Sequence, residues 1–406
     1  MPVQDCDVLI AGGGLVGMSL ALALSGSPLS VVLVDKAPLA TDQRTPDERH
    51  LALSEVTCRI LSELRVLQAL SAEAEPIRAI HVSSADEFGV TRWSAADAGR
   101  AQFGVVAPAK RLLWTLQQQL LASPAVTLCV PATVVETQSQ SNHIDAVVES
   151  EQGRGTIRAK LLVIADGADS SLRALAGIEA TGFDYQTSAI CCVVRPERDH
   201  QGTAFERFTR SGPVAMLPQP NARCGAVFIV DRAHAEHLMQ MPDPAFLQEL
   251  QLAFGYRLGR LQRCGLRVSY PMRRVIAQTV TAPRQVLIGN AAQSVHPVGA
   301  QGFNLGLRDA AELAQRLLAA QRKANDFGTA DFLTSYARAR EKDRLATTNL
   351  SHALALGTTL QARPLALLRS FALLAADRIG PLAEHLQLAG MGYRGATSVF
   401  ARGMTT

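Results

Sequence analysis

The chain has 406 residues, 48% of them hydrophobic, and a formal net charge of +4. That is enough apolar chain for two cores and too much for disorder. With 5% aromatic residues, no nucleic-acid recognition module and no uncharged apolar run of about 18 residues, neither nucleic acid binding nor a membrane-spanning helix is expected.

Acids at Asp5 and Asp7 precede the first apolar run, which therefore reads as a strand and not as a secretory leader. Residues 7–11 are that strand. Gly12-Gly13-Gly14-Leu15-Val16-Gly17 follows, then a helix over 15–24 and a second strand over 30–34 ending at Asp35. In such a unit Gly12 makes the turn, Gly14 admits a pyrophosphate to the backbone, Gly17 lets helix pack on strand, and Asp35 accepts from ribose hydroxyls. A loop over 45–53 carries Arg49 across the front of the nucleotide, and a helix over 54–64 comes next. Residues 77–94 alternate as two strands around a turn at 86–89. A helix over 110–121 and a meander of strands (126–129, 133–137, 144–149) lead to a buried strand over 161–165. That strand ends in Asp166-Gly167-Ala168-Asp169-Ser170-Ser171-Leu172-Arg173.

Residues 182–272 differ in character, with short strands, Pro-rich turns and a helix near 244–253, as in an inserted antiparallel unit. The chain then returns to a strand over 286–288, Gly289-Asn290, a loop with Pro297, Gly299 and Gly302, and a helix from Phe303. Further helices are expected over 329–357 and 364–379. Three strand-end motifs, near residues 12, 166 and 290, suggest one long ligand such as FAD, with a helix N-terminus aimed at its flavin end. The implied fold is α/β: a discontinuous Rossmann-like FAD-binding domain (1–76, 95–181, 273–345), a mostly antiparallel substrate domain (77–94, 182–272) and a C-terminal helical region (346–406).

Seven cysteines without C-x-x-C predict reduced, buried thiols and a cytoplasmic protein. His234-Ala-Glu-His237 lacks the H-E-x-x-H spacing, so no metal site is expected. Neither G-x-S-x-G nor a P-loop occurs, which removes hydrolase and NTPase machinery. From Leu250 to Leu307 there is no acid, but there are Arg257, Arg260, Arg263, Arg267, Arg273, Arg274 and Arg284. That span fits a solvated basic face, a phosphate-bearing cofactor or an anionic membrane surface.

The segments 12–17, 165–173 (ADGADSSLR) and 289–309 (GNAAQSVHPVGAQGFNLGLRD) together resemble the FAD-dependent aromatic hydroxylases of the para-hydroxybenzoate hydroxylase fold. The nearest likeness is to their ubiquinone-biosynthesis branch. Within it, Gly289-Asn290, Ala204-Phe-Glu-Arg-Phe-Thr209 and Gly212-Pro-Val-Ala-Met-Leu-Pro218 are similar to the 2-polyprenyl-6-methoxyphenol hydroxylases. The larger family has Gly-Asp where this chain has Gly289-Asn290.

The resemblance implies that Gly12, Gly14 and Gly17 hold the FAD pyrophosphate, Asp35 the adenosine ribose, and Arg49 and Arg111 the flavin and phosphates. It gives Asp166 and Gly167 to FAD and NAD(P)H, Gly289 and Asn290 to the ribityl chain, and Pro297, Gly299, Gly302, Phe303 and Asn304 to the isoalloxazine. It implies hydroxylation of a polyprenyl phenol with NAD(P)H and O2 through a flavin C4a-hydroperoxide. His296, Pro297 and Arg49 are the candidate catalytic residues, with His296, Tyr185 and Tyr270 the candidate bases. A reductase or dehydrogenase, or a non-catalytic flavin subunit, stays open as an alternative. So do a homodimer, membership in a ubiquinone-biosynthesis complex, and peripheral membrane contact through the basic span or the helix carrying Leu367, Phe371 and Leu374.

Overall fold

The computed structural model describes residues 4–40, 47–85, 87–357 and 363–393. Thr45 and Asp86 of the expected turns, and the end of the C-terminal region after 393, lie outside them. Strand Gln4–Ala11 sits between strands Val31–Val34 and Gly153–Ile164, all parallel, with Val126–Cys129 and Gln285–Leu287 extending the sheet on either side. Val8, Leu9 and Ile10 have no exposed surface. Layers cover both faces, which is why these strands read as continuous apolar runs. Helices Leu15–Leu24, Ala109–Leu121 and Gln301–Arg322 build the layer that carries the site.

A second, nine-stranded sheet is mostly antiparallel. Its long strand Ala180–Pro196 pairs with Arg223–Asp231 and Val268–Ala277. The hairpin Ala79–Ser84 with Val90–Ser94 joins through parallel pairing to Thr203–Phe208. Phe205, Met216, Phe228 and Phe246 fill one face under helices Arg232–Gln240 and Asp243–Phe254. On the opposite face Leu217 packs with Ile77, Phe103 and Val106.

Several elements differ from expectation. Strands His50–Ser54, Gly104–Pro108 and Glu75–Ile77 form a small third sheet. The helix expected from 54 starts after Ser54, whose hydroxyl caps it by accepting from Thr57 N–H. The boundary expected after residue 345 falls inside a continuous helix, Ala330–Gly357. Arg340, Asp343, Arg344 and Thr347 on both sides of that point engage one polar network, so the helix packs as a unit. The basic span is divided: Arg284 is buried on Asp326 and the Ser141 carbonyl, and Arg267 caps the Leu238 and Met241 carbonyls. All seven cysteines are free thiols. Cys191 and Cys192, adjacent in one strand, point to opposite faces.

Helix Arg363–Arg378 docks on the hairpin. Thr91 Oγ1 donates to the Leu373 carbonyl, the Arg92 N–H to Asp377 and the Trp93 indole to the Ala376 carbonyl, and Arg369 pairs with Glu87. Its other side leaves Leu367, Leu368 and Phe371 more than half exposed.

Candidate active site

Pairing register brings the three motifs to one edge. Ala11 lies opposite Val34 and Ile164, and Ile164 opposite Leu287. Gly12, Asp35, Asp166 and Gly289 therefore leave the same carboxyl end of the sheet, where ligands meet such sheets. Gly12 has φ +118°, and a Cβ on it would lie 2.3 Å from the Ala165 carbonyl oxygen. A Cβ on Gly17 would lie 1.9 Å from the Gly12 carbonyl oxygen, whereas one on Gly14 would meet nothing within 4 Å. The turn is thus packed beneath and open above. Gly14 is the N-cap of helix Leu15–Leu24, whose first turn has no acid and no side-chain cap. Its free N–H groups and positive end form an anion seat. The Asp35 carboxylate accepts from Gly13 N–H at 2.5 Å and from Ala37 N–H at 2.7 Å, fixing the turn.

Asp166 accepts from Leu172 N–H through one oxygen, and its other oxygen is buried without a partner. Gly167 beside it has φ +99°. Arg173 donates to the Ala168 and Ala291 carbonyls at 3.2 and 3.0 Å and so ties the second motif to the third. Gly289–Ala291 makes a 3-10 turn with Asn290 exposed at its tip. The loop Pro297–Ala300 then feeds helix Gln301–Arg322, another N-terminus without an acid or a side-chain cap. Gly302 and Phe303 lie in its first turn, half-buried. Asn304 is buried and saturated: it accepts from Ser54 N–H and donates to the Ala52 and Ala300 carbonyls. Its side chain bolts the loop to strand His50–Ser54, so only its backbone is left for a ligand.

Arg49 reaches toward the nine-stranded sheet. It grips Asp47 through two hydrogen bonds, 2.8 and 2.7 Å, and lies 5.4 Å from the Tyr270 ring centroid. Its backbone carbonyl accepts from Ala109 N–H, at the start of the helix that carries Arg111. Arg111 pairs with Glu73, and its Nη1 is buried without a partner.

The candidate bases are poorly suited to taking a proton. His296 is buried, and burial followed by His352 pushes it down to about 4, so it is neutral. Its Nδ1 accepts from Val298 N–H at 3.2 Å, which leaves the ring a donor. Burial raises the Tyr185 hydroxyl, which bonds His352 Nδ1. Burial, then Asp47, pushes Tyr270 up to about 12, and its hydroxyl donates to Asp47. Pro297 has no titratable group and precedes the Val298–Ala300 turn. Among the described residues no group of His, Cys, Asp and Glu could hold a metal ion.

A family model for the FAD binding domain matches residues 5–349. The chain belongs to the FAD-dependent aromatic hydroxylases. A hydroxylase of this family binds FAD as its cofactor, and NAD(P)H is the typical electron donor. The chain is 35% identical over 387 residues to ubiquinone hydroxylase UbiL of Rhodospirillum rubrum, covering 95% of this chain and 89% of that protein. It is 30% identical to 3-demethoxyubiquinol 3-hydroxylase of Escherichia coli, covering 94% and 97%. Its fold matches that of p-nitrophenol 4-monooxygenase PnpA from Pseudomonas putida with a TM-score of 0.77 at 17% identity, covering 95% and 98%.

The residues present fit the cofactor of this hydroxylase family. The open cradle over Gly14 suits a pyrophosphate, and the orphaned Arg111 Nη1 offers it a charge-assisted donor. The orphaned Asp166 oxygen and the exposed Asn290 amide suit hydroxyl groups. Sequence reasoning missed Arg173 and Arg308-Asp309 as supports of this edge, and it placed Asn304 at the isoalloxazine without seeing that its side chain ties the loop to strand His50–Ser54. All four lie inside the quoted motifs, and that was the one available signal.

Proposed function

We propose that this protein hydroxylates the aromatic ring of a polyprenyl-methoxyphenol in ubiquinone biosynthesis, with FAD, NAD(P)H and O2. One observation carries the reading: relatives named ubiquinone hydroxylase UbiL and 3-demethoxyubiquinol 3-hydroxylase match nearly full length. FAD supplies the redox chemistry once bound. The chain's residues do the rest. The Gly-rich turn and helix ends bind the phosphates, and Asp309, which accepts from Gly289 N–H, holds the third motif in place.

The test is NAD(P)H oxidation by holoenzyme with a short-chain 2-prenyl-6-methoxyphenol under labelled O2. One labelled oxygen in the product, in step with NAD(P)H consumed, is expected. Oxidation without incorporation would make the protein a reductase.

The same reading has the protein working peripherally on the cytoplasmic face of a membrane, since a polyprenyl tail partitions into lipid. Among the described residues no helix is long and apolar enough to cross a membrane. The exposed stripe of Leu367, Leu368 and Phe371, joined by Phe88 at 5.6 Å from Phe371, supports surface contact. Each such side chain is worth about 1.5–3 kcal/mol on leaving water. Replacing the three stripe residues with Glu should lower vesicle flotation at least tenfold. Neutralising Arg257, Arg260, Arg263 and Arg273 should lower it only at low salt and with anionic lipid. If the stripe instead covers a second copy or a biosynthetic partner, flotation will not change and sedimentation will.

A further inference from the structure

The nine-stranded sheet presents one unbroken cross-strand row to the cofactor side: Val82, Glu206, Ala215, Val227, Cys191 and Val268, each opposite the next in register. Five are apolar or a protonated thiol, and Glu206 is the one carboxylate among them. The row lies between two cofactor-side elements. Arg49 and Asp47 act electrostatically on Cys191 toward one end, and the backbone of Gly299 lies near enough to the Glu206 carboxyl to lower it. Glu206 therefore spans from the substrate sheet to the loop that opens helix Gln301–Arg322. Phe205, its neighbour in the strand, points into the opposite core.

We infer that Glu206 is the catalytic base that receives the phenol proton of the substrate, an assignment that rests on the ring-hydroxylation reading above. The phenol O–H bond breaks and the proton passes to a Glu206 oxygen, giving a carboxylic acid and a phenolate with no change of oxidation state. The phenolate ring is the more electron-rich nucleophile for oxygen insertion. When the hydroxylated ring releases its ring proton to water and becomes aromatic again, the carboxylic acid returns its proton to the original oxygen.

Burial pushes the Glu206 carboxyl up to about 7, and the Gly299 backbone pulls part of the way back. A base titrating near neutrality is suited to general-base work. No charged side chain opposes it. Its strand partners are Val82 and Ala215. His81, Arg92, Arg207 and Arg257 cluster on the sheet's other face, and His296 in the adjoining loop is neutral. The other bases considered are engaged: Tyr185 with His352, Tyr270 with Asp47, and His296 Nδ1 with its own loop.

The experiment compares wild-type and Glu206→Gln holoenzymes on three readouts. With the short-chain prenyl methoxyphenol, hydroxylated product per NAD(P)H should fall about a hundredfold or more in the variant, with hydrogen peroxide released instead. Anaerobic reduction of the bound flavin should stay within about twofold. The wild-type limb of hydroxylation rising through about pH 7 should vanish, and Glu206→Asp should restore a limb.

Folding stability supplies an independent check. A carboxyl raised from 4.5 to about 7 in the folded state favours folding below 4.5, and that contribution is lost as pH rises through 7. The Gln variant should therefore gain on wild type between about pH 4.5 and 7 and keep that margin above 7. Hydroxylation within about threefold of wild type with the limb intact overturns the assignment. So does flavin reduction slowed as much as hydroxylation, which would make Glu206 a positioning residue for the loop. Wild-type enzyme that hydroxylates no phenol overturns the function and not the base alone, and the stability comparison then still reports whether Glu206 titrates near 7. If the Gln variant fails to fold, the Asp variant carries the same comparison.

Discussion

Gly17→Ala should cost the protein its flavin and part of its fold together, while Gly14→Ala should cost it the flavin alone. The added methyl at position 17 would sit 1.9 Å from the Gly12 carbonyl oxygen and 3.1 Å from the Gly12 carbonyl carbon. Neither atom belongs to a side chain that could swing away. Helix Leu15–Leu24 has to lift from strand Gln4–Ala11, and the turn between them opens. Overpacking of this kind typically costs about 1–3 kcal/mol. A turn that no longer presents its N–H groups to a phosphate loses affinity on the same scale, about 5–150-fold in Kd. At position 14 the methyl meets no protein atom within 4 Å. It projects into the space kept for the cofactor, so stability without ligand should match wild type while FAD affinity falls. Flavin retention after gel filtration and thermal melts with and without added FAD separate the two outcomes. Equal flavin loss and equal apo stability in both variants would show that Gly17 is not a packing glycine.

That contrast marks what the sequence could and could not reveal. The dinucleotide turn was legible because its glycines are dictated locally, by a φ value at Gly12 and a close approach at Gly17. The convergence of residues 12, 166 and 290 could also be anticipated, since each motif ends a buried parallel strand and such ends share an edge. Pairwise side-chain contacts across long sequence separations were not legible. Asn304 reads as part of a flavin loop, but its amide is consumed by Ser54, Ala52 and Ala300. Glu206 reads as one letter of a strand, and only registry with Val82 and Ala215 shows which face it takes. Strand Gly104–Pro108 was missed because its short apolar run has no alternation to signal it. The seven arginines of the acid-free span look alike in sequence, and only burial tells Arg284 on Asp326 from the exposed Arg260 and Arg263.

The motif Gly306-Leu-Arg-Asp309 carries the second large effect, and it acts through Arg340. Helix Gln301–Arg322 contributes Arg308 and Asp309, and helix Ala330–Gly357 contributes Arg340 and Asp343, all four nearly solvent-free. Arg340 donates to Asp309 at 2.7 Å and to Asp343 at 2.8 Å, and Arg308 holds Asp343 at 2.8 and 3.1 Å. The second Asp309 oxygen accepts from Gln293 and from Gly289 N–H, so the network reaches the third cofactor turn. Such a cluster is not a large net source of stability, because four charges were desolvated to make it. Removing one member is another matter. Arg340→Met leaves buried Asp309 without its arginine and Asp343 with Arg308 alone, a loss of about 3–5 kcal/mol and of roughly 4–6 °C in Tm for a chain of this size. The Gly289 turn should loosen with it, so FAD should bind more weakly although Arg340 lies off the cofactor edge.

The pH dependence follows from Asp343. Burial alone would raise its carboxyl, but Arg308 and Arg340 outweigh burial and hold it below the ordinary 3.8. A depressed carboxyl contributes stability above that value and loses it as pH falls through the folded pKa. Wild type should therefore lose stability from about pH 4 downward. The variant should lose less over the same acid range, because Asp343 keeps only one of its two cationic partners and its carboxyl is depressed less. Urea titrations at pH 7, pH 4 and about pH 2.5 test both parts. A variant as stable as wild type at pH 7, with its flavin retained, would mean that the two carboxylates are protonated or hydrated without Arg340, and that the network does not support the cofactor turn.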